Sequence, residues 1–404
     1  MERIESLGKI SEDRGQLTRR FGSAAMQQAN RLVGSWMRQS GMRVRQDAIG
    51  NLIGHYPATL SAPRSSKALL IGSHLDTVVN AGKFDGPLGV LVGIACVEWL
   101  RETRTELPFA VEVVGFADEE GVRFQSTYLG SRVMAGTLRS EELRLTDAKG
   151  ITMADAIQNF GGNPRALRAA KLDRKRLLGY VEVHIEQGPV LEDKNLSVGV
   201  VTGICGQARY RLRFKGRAGH AGTVPMALRR DALCAAAEFA LAVEAEAKRT
   251  KGLVATVGML QLRPGASNVI PGEVSLTLDM RHSHDSIRHR AERRLEGKAR
   301  RIAHARKVDV SISRVHFADS VACDGRLSRL LEDAIGENQS RIIRLPSGAG
   351  HDAAAMADIA PMAMLFVRCK GGISHHPDES VKTQDVAMAI SVMEDFINSL
   401  AGHG

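Results

Sequence analysis

A chain of 404 residues exceeds what one ordinary hydrophobic core organises, so two domains are expected. Its 44% hydrophobic and 25% charged content are those of a water-soluble globular protein, and the small aromatic share (4%) leaves the core to Ala, Val, Leu, Ile and Met. The formal charge of +10 comes without aromatic residues interleaved among the arginines, which argues against a nucleic-acid partner and for solvated helix faces.

The opening Met1-Glu2-Arg3-Ile4-Glu5 has no apolar signal core, and no stretch approaches a membrane span. A cytoplasmic protein without a membrane partner is therefore expected. The five cysteines (Cys96, Cys205, Cys234, Cys323, Cys369) are scattered and show no metal-knuckle or CxxC spacing, so buried, reduced thiols are expected.

In chain order, 23–40 has helical periodicity, with Ala25, Leu32, Val33 and Trp36 as candidate buried positions and Gly41 at its end. Residues 47–54 read as a turn entering a strand. An apolar run at 68–72 leads into Ser73-His74-Leu75-Asp76-Thr77, and Asp85 follows in the glycine-rich Lys83-Phe84-Asp85-Gly86-Pro87-Leu88-Gly89. A helix rich in small and apolar residues is expected at 86–100, making a right-handed βαβ unit with its flanking strands. The next strand, 110–116, leads into Asp118-Glu119-Glu120-Gly121, and 179–183 leads into His184-Ile185-Glu186-Gln187-Gly188-Pro189. This alternation predicts an α/β layer with a largely parallel sheet.

The texture changes near Gln207. Strands are expected at 210–214, 253–262, 274–280 and 308–314, with helices at 226–248 and 285–305. That β-α-β-β-α-β order is the split-βαβ, ferredoxin-like pattern of an α+β unit of roughly a hundred residues. The chain then returns to a strand at 363–367, followed by Ser374-His375-His376-Pro377. The expected organisation is a discontinuous catalytic domain, 1–207 plus 318–404, with 208–317 inserted.

Strand ends carry the chemistry. In an open α/β sheet the ligand crevice lies beyond the carboxyl ends of the strands, and here those ends and the loop after the first carry imidazoles and carboxylates. Three imidazoles with two carboxylates suit a pair of borderline cations such as zinc or manganese, with cobalt or nickel in a similar cage. Asp85 is the expected bridge between them, its two oxygens serving one ion each. Asp76 is expected to accept the second N–H of His74 and fix its tautomer. Of the adjacent glutamates, Glu120 is assigned to the metal. Glu119 is assigned as the base that takes the proton of the attacking water and returns it to the leaving nitrogen. His55, His282, His284, His289, His304, His316 and His403 lack this context and are read as structural.

These residues resemble the M20-type metallohydrolases, and within them the hydantoinase/carbamoylase branch. The resemblance covers nearly the whole chain through 47–52, 72–78, 84–90, 119–124, 184–189, Gly219-His220-Ala221-Gly222, Asn268-Val269-Ile270-Pro271, Gly348-Ala349-Gly350-His351-Asp352 and 374–379. It implies a zinc-peptidase-like catalytic domain and an insert that acts as lid and dimerisation domain. It also implies two divalent metal ions, one held by His74, His184 and Asp85, the other by Glu120, His375 and the same Asp85. His376 falls where relatives commonly have Asn, so His375 is taken as the ligand. His184 stands where related peptidases carry a carboxylate, which points to ureido substrates. Arg281, with Asn268 beside it, is placed to hold a substrate carboxylate. His220 resembles the oxyanion-stabilising histidine, reaching into the site of a partner subunit of a homodimer. Gln187 and His351 are further substrate contacts, and Asp352 either orients His351 or is structural.

The activity implied is hydrolysis of the carbamoyl C–N bond of an N-carbamoyl-L-amino acid, giving the amino acid, carbon dioxide and ammonia. Allantoate hydrolysis or β-ureidopropionase activity is the alternative within this chemistry. An N-acyl amino acid or dipeptide hydrolase comes next. The alternatives of another class are a metal-stabilised scaffold without activity and a polyanion-binding protein.

Overall fold

The computed structural model describes residues 1–60 and 66–402, which leaves His403 outside the described residues. The chain divides into two compact units, Met1–Gly203 with Cys323–Gly404, and Ile204–Ala322. The second unit contains the insert expected at 208–317 and extends it by a few residues at each end.

In the first unit, strands lie side by side in the order Arg43–Gln46, Leu52–Tyr56, Ala110–Phe116, Ala68–His74, Leu177–Ile185, Met362–Val367 and Val198–Ile204. The four strands from Ala110–Phe116 to Met362–Val367 run parallel, and antiparallel neighbours flank them on both sides. Every residue of Ala68–His74 is buried. This is what an uninterrupted apolar run does in a parallel sheet covered on both faces. Leu69, Leu70 and Ile71 are wholly enclosed, each contributing roughly 1.5–3 kcal/mol of burial. Because the four strands are parallel, their carboxyl ends emerge on one side of the sheet. The chain order therefore brings segments a hundred or more residues apart to one rim.

The second unit has a four-stranded antiparallel sheet ordered Asp309–Ala318, Gly206–Lys215, Glu273–His282, Val254–Arg263. Helices Ala232–Arg249 and Asp285–Ala305 pack on it through Ala235, Ala236, Phe239, Val243, Ala291, Leu295, Ala299 and Ile302. The strand alternation is clear in Glu273–His282, where Val274, Leu276, Leu278 and Met280 are buried between more exposed neighbours.

Several expectations need correction. The helix expected at 226–248 begins at Ala232: Asp231 accepts the N–H groups of Leu233 and Cys234 as an N-cap, and Met226–Leu228 forms only a short 3-10 turn. His184 lies within strand Leu177–Ile185 instead of following it. Leu32 and Trp36 are only partly buried, while Met26, Ala29 and Met37 join Val33 in the core. Cys234 is exposed, on the outward face of the helix capped by Asp231, and Cys323 is only partly buried; Cys96, Cys205 and Cys369 are buried, and all five are free. Among the described residues, no helix is long and apolar enough to cross a membrane.

Candidate metal centre and active site

His74 is the last residue of its strand. Its Nδ1 donates to the main-chain carbonyl of Asp76 at 3.0 Å. The turn after the strand thus fixes the tautomer through a backbone oxygen, and the Asp76 carboxylate stands slightly farther off, at 3.4 Å. That carboxylate is engaged elsewhere: Oδ1 accepts the main-chain N–H of Glu119 at 3.0 Å and Oδ2 that of Glu120 at 3.2 Å. Asp76 therefore aims the two glutamates, a task the sequence did not suggest.

His184 is set in the same way. Its Nδ1 donates to the carbonyl of Ile185 at 2.9 Å, which turns Nε2 toward Asp85 Oδ1, 3.1 Å away. His74 Nε2 lies 3.6 Å from the same oxygen. The other carboxylate oxygen, Oδ2, lies 3.1 Å from His375 Nε2, which in turn is 3.3 Å from Glu120 Oε1. Asp85 thus offers one oxygen to a His74–His184 pair and the other to a Glu120–His375 pair. The ligand atoms of His74, Asp85 and His184, and those of Asp85, Glu120 and His375, each fall within 4.8 Å of one another. Glu119 also stands with His74 and Glu120 in such a group. Imidazole Nε2 atoms with their second nitrogens committed to carbonyls, facing a two-faced carboxylate, fit divalent cations in composition and orientation.

The electrostatics agree. Burial acts to raise the Asp85 carboxyl and to lower the His74 and His184 imidazoles, but hydrogen bonds win in each case: those from His184, His375 and His74 for Asp85, those to Asp76 and Asp85 for His74, and that to Asp85 for His184. Asp85 is held well below the usual carboxylate range, and His74 and His184 are raised. Asp85 and Glu120 push His375 up to about 10. The carboxylates demand positive charge at three neighbouring points, a demand that divalent cations meet. Burial and the charge of Glu120 together raise the Glu119 carboxyl well above its ordinary range. His375 is the open side of the cluster, its side chain 49% exposed against 7% for Asp85.

The loop bearing Asp85 depends on Gly86, which has φ +84 and sits at the N-cap of helix Pro87–Thr103. A Cβ there would fall 2.5 Å from the His74 ring. Gly86 thus supplies both the left-handed turn and the space for the imidazole. His375 and Gln187 also adopt positive φ, 56° and 55°, a cost that clusters at functional sites.

His375 and His376 face different partners. His376 is exposed, and its Nδ1 accepts the main-chain N–H of Asp378 at 3.2 Å, away from Asp85. Gln187 touches the centre directly: Nε2 donates to Asp85 Oδ2 and to Ser374, each at 3.0 Å, while its buried Oε1 has no hydrogen-bond partner among the described residues. His351 is buried edge-on against the His184 ring, 4.5 Å between centroids, with Nε2 2.7 Å from the Ser347 hydroxyl. Burial, with the charge of His184, holds it well below its ordinary range, and its ring packs behind that of His184. Asp352 does not orient His351; its carboxylate accepts from Ser131.

Three expected site residues belong to the second unit. His220 is exposed and its Nδ1 accepts the N–H of Gly222 at 3.0 Å. Asn268 is exposed, with its carbonyl accepting from Ala221. Arg281 places Nε 2.9 Å and a terminal nitrogen 3.1 Å from the two oxygens of Asp279, a forked ion pair within one strand.

Sequence reasoning missed four supporting residues. Ser374 donates to Asp85 Oδ2 at 2.8 Å. Glu379 accepts from the loop that carries Asp85, and burial with the charge of Asp85 pushes its carboxyl up to about 7. Glu182, wholly buried under His184, accepts from Ser73, Tyr180 and the Ala353 N–H. Asp118, also buried, accepts from Gly121 at 3.1 Å. The available signal was weak: polar or charged residues one to four positions from a candidate ligand, in segments otherwise apolar or turn-like.

A sequence profile of peptidase family M20/M25/M40 matches residues 70–399. The chain belongs to this family. A probable allantoate deiminase from Oryza sativa subsp. japonica is 41% identical, covering 99% of this chain and 87% of the relative. An N-carbamoyl-L-amino acid amidohydrolase from Geobacillus stearothermophilus is 40% identical, covering 99% and 97%. Among solved structures, a hydantoinase/carbamoylase family amidase from Burkholderia multivorans superposes with a TM-score of 0.92 at 30% identity, over 99% of this chain and 96% of that one. M20 enzymes are metal-dependent, in keeping with the clusters around Asp85, and this member is an amidohydrolase.

Proposed function

We propose that the protein hydrolyses the ureido C–N bond of an N-carbamoyl-L-amino acid, releasing the amino acid, carbon dioxide and ammonia. The observation that carries this reading is the composition of the centre: His184, not a carboxylate, completes the set on one face of Asp85. Relatives of comparable identity, named for carbamoyl and allantoate substrates, support it.

His74, His184 and Asp85 would hold one divalent ion, and Glu120, His375 and Asp85 the other. When bound, such ions polarise the scissile carbonyl and make water a nucleophile at neutral pH. The rest falls to the chain. Glu119, aimed by Asp76, takes the proton of the attacking water and delivers it to the departing nitrogen. Gln187 Oε1, a buried acceptor without a donor, suits an N–H of the ureido group. Arg281 would exchange Asp279 for the substrate carboxylate, with Asn268 nearby, and His220 would stabilise the developing oxyanion across a homodimer. In support of a partner surface, the most exposed large apolar side chains, Met226 (75%), Leu228 (73%), Leu241 (67%) and Val254 (62%), all lie in the second unit. The second unit is then both lid and dimerisation domain.

Ammonia release, with free amino acid measured in parallel for the N-acetyl compounds, tests the reading on a panel of N-carbamoyl-L-amino acids, N-carbamoyl-β-alanine, allantoate, N-acetyl amino acids and a carbamoylated amine lacking a carboxylate. The protein is chelator-treated and then supplied with Mn2+, Co2+ or Zn2+. Turnover of carboxylated ureido compounds, dependent on added metal, is expected. Hydrolysis of the N-acetyl compounds alone would replace the reading with a deacylase. Identity to the rice deiminase keeps allantoate as the second reading, decided by the same panel.

A further inference from the structure

The loop that presents Asp85 is held from the far end of the chain. Glu379 is buried, 4% exposed. Its Oε1 accepts the main-chain N–H of Phe84 at 2.7 Å and of Asp85 at 3.1 Å, contacts spanning 295 and 294 positions. Buried backbone donors must be paired, and here a side chain supplies the acceptor. The other oxygen, Oε2, lies 3.2 Å from the Ser374 hydroxyl, which is also 2.8 Å from Asp85 Oδ2. One carboxylate thereby grips the backbone of Asp85 and packs against Ser374, whose single hydroxyl proton goes to the nearer acceptor, the Asp85 oxygen that faces His375. The fit is close on the other side too: a Cβ on Gly82 would sit 2.3 Å from the Glu379 Cβ and Cδ. Glu379 stands four positions after His375, so the segment that clamps Asp85 is the one that delivers the imidazole to it.

We infer that Glu379 is a positioning residue for the metal centre. It fixes the carboxylate of Asp85 so that one oxygen faces His74 and His184 and the other His375, and it makes the arrival of His375 and the aim of Asp85 a single event. This rests on the metal-centre reading above. The alternative is a purely structural anchor of the 82–85 loop, which would alter stability without altering metal affinity.

Glu379→Gln and Glu379→Ala separate the two. The glutamine oxygen can accept both N–H groups while its NH2 donates to Ser374, whose hydroxyl stays free for Asp85. Alanine leaves both donors unpaired. Metal-stripped full-length proteins are titrated with Mn2+ and with Zn2+ against a competing chelator, and the melting of the metal-free forms is recorded in parallel. For Glu379→Ala, affinity falls by about 10–100-fold, the usual cost of losing an outer-sphere support. Glu379→Gln restores most of it, and Ser374→Ala shows a smaller loss. If Glu379→Ala does not fold, Gly82→Ala perturbs the same contact from the opposite side and is expected to weaken binding in the same direction. Wild-type affinity in Glu379→Ala, or in Gly82→Ala where that is the folded variant, overturns the inference alone. So does an equal loss in Glu379→Gln and Glu379→Ala. A wild-type protein that takes up neither ion overturns the metal-centre reading and this inference with it.

Discussion

The Asp76 carboxylate accepts the main-chain N–H of Glu119 at 3.0 Å, so the orientation of the assigned base is set from a different strand end. Its second oxygen does the same for Glu120. Asp76→Asn would keep an acceptor for one of these N–H groups and turn an NH2 donor toward the other. The expected result is a drop in kcat of about 10–100-fold, measured by steady-state ammonia release with metal content determined on the same samples. An unchanged kcat would remove Asp76 from the catalytic apparatus.

Glu119→Gln retains the metal ligands and the Asp76 contact but lacks a basic oxygen pair. Turnover should fall by at least about 10²–10⁴-fold with metal uptake preserved. Mixing it with His220→Ala tests the homodimer at the same time. If His220 serves the partner's site, subunit exchange between two inactive variants recovers activity, because each mixed dimer regains one complete site. Two variants that remain inactive after exchange would confine His220 to its own subunit or exclude it.

The two adjacent histidines should behave oppositely. His375 faces Asp85 and Glu120, whereas His376 turns to Asp378 on the surface. His375→Ala is expected to lose metal affinity and activity together, and His376→Ala to stay within about twofold of wild type, as surface changes usually do. Metal titration of both variants checks this, and a reversed order would move the ligand to His376.

Gly86→Ala introduces a Cβ 2.5 Å from the His74 ring at a position with φ +84. Strain of about 1–3 kcal/mol is expected from the backbone alone, with further loss as the imidazole is displaced. Denaturant midpoints and metal affinity should both fall. A variant as stable as wild type would mean that the Asp85 loop has another conformation open to it.

Much of this architecture was legible in the chain. The apolar runs at 68–72, 110–116, 179–183 and 363–367 announce buried parallel strands because both of their faces are covered, and polar residues immediately beyond them can only lie at the sheet's rim. Element starts were less legible. The helix expected from 226 begins at Ala232 because the Asp231 cap overrides a continuous helical composition. Glu379 and Glu182 were invisible as supports, since their partners are 295 and 109 residues away.

The sequence by itself determined which side chains meet at the rim: His74, Asp85, Glu119, Glu120 and His184 follow or end strands whose burial is a local matter of apolar periodicity. Tertiary structure alone decided how they are aimed. The facing of His375 toward both Asp85 and Glu120, the carbonyls that fix the two imidazole tautomers, and the grip of Glu379 on Asp85 depend on turns packed between distant segments. Hydrogen bonds of that kind obey three-dimensional geometry, and no spacing along the chain encodes it.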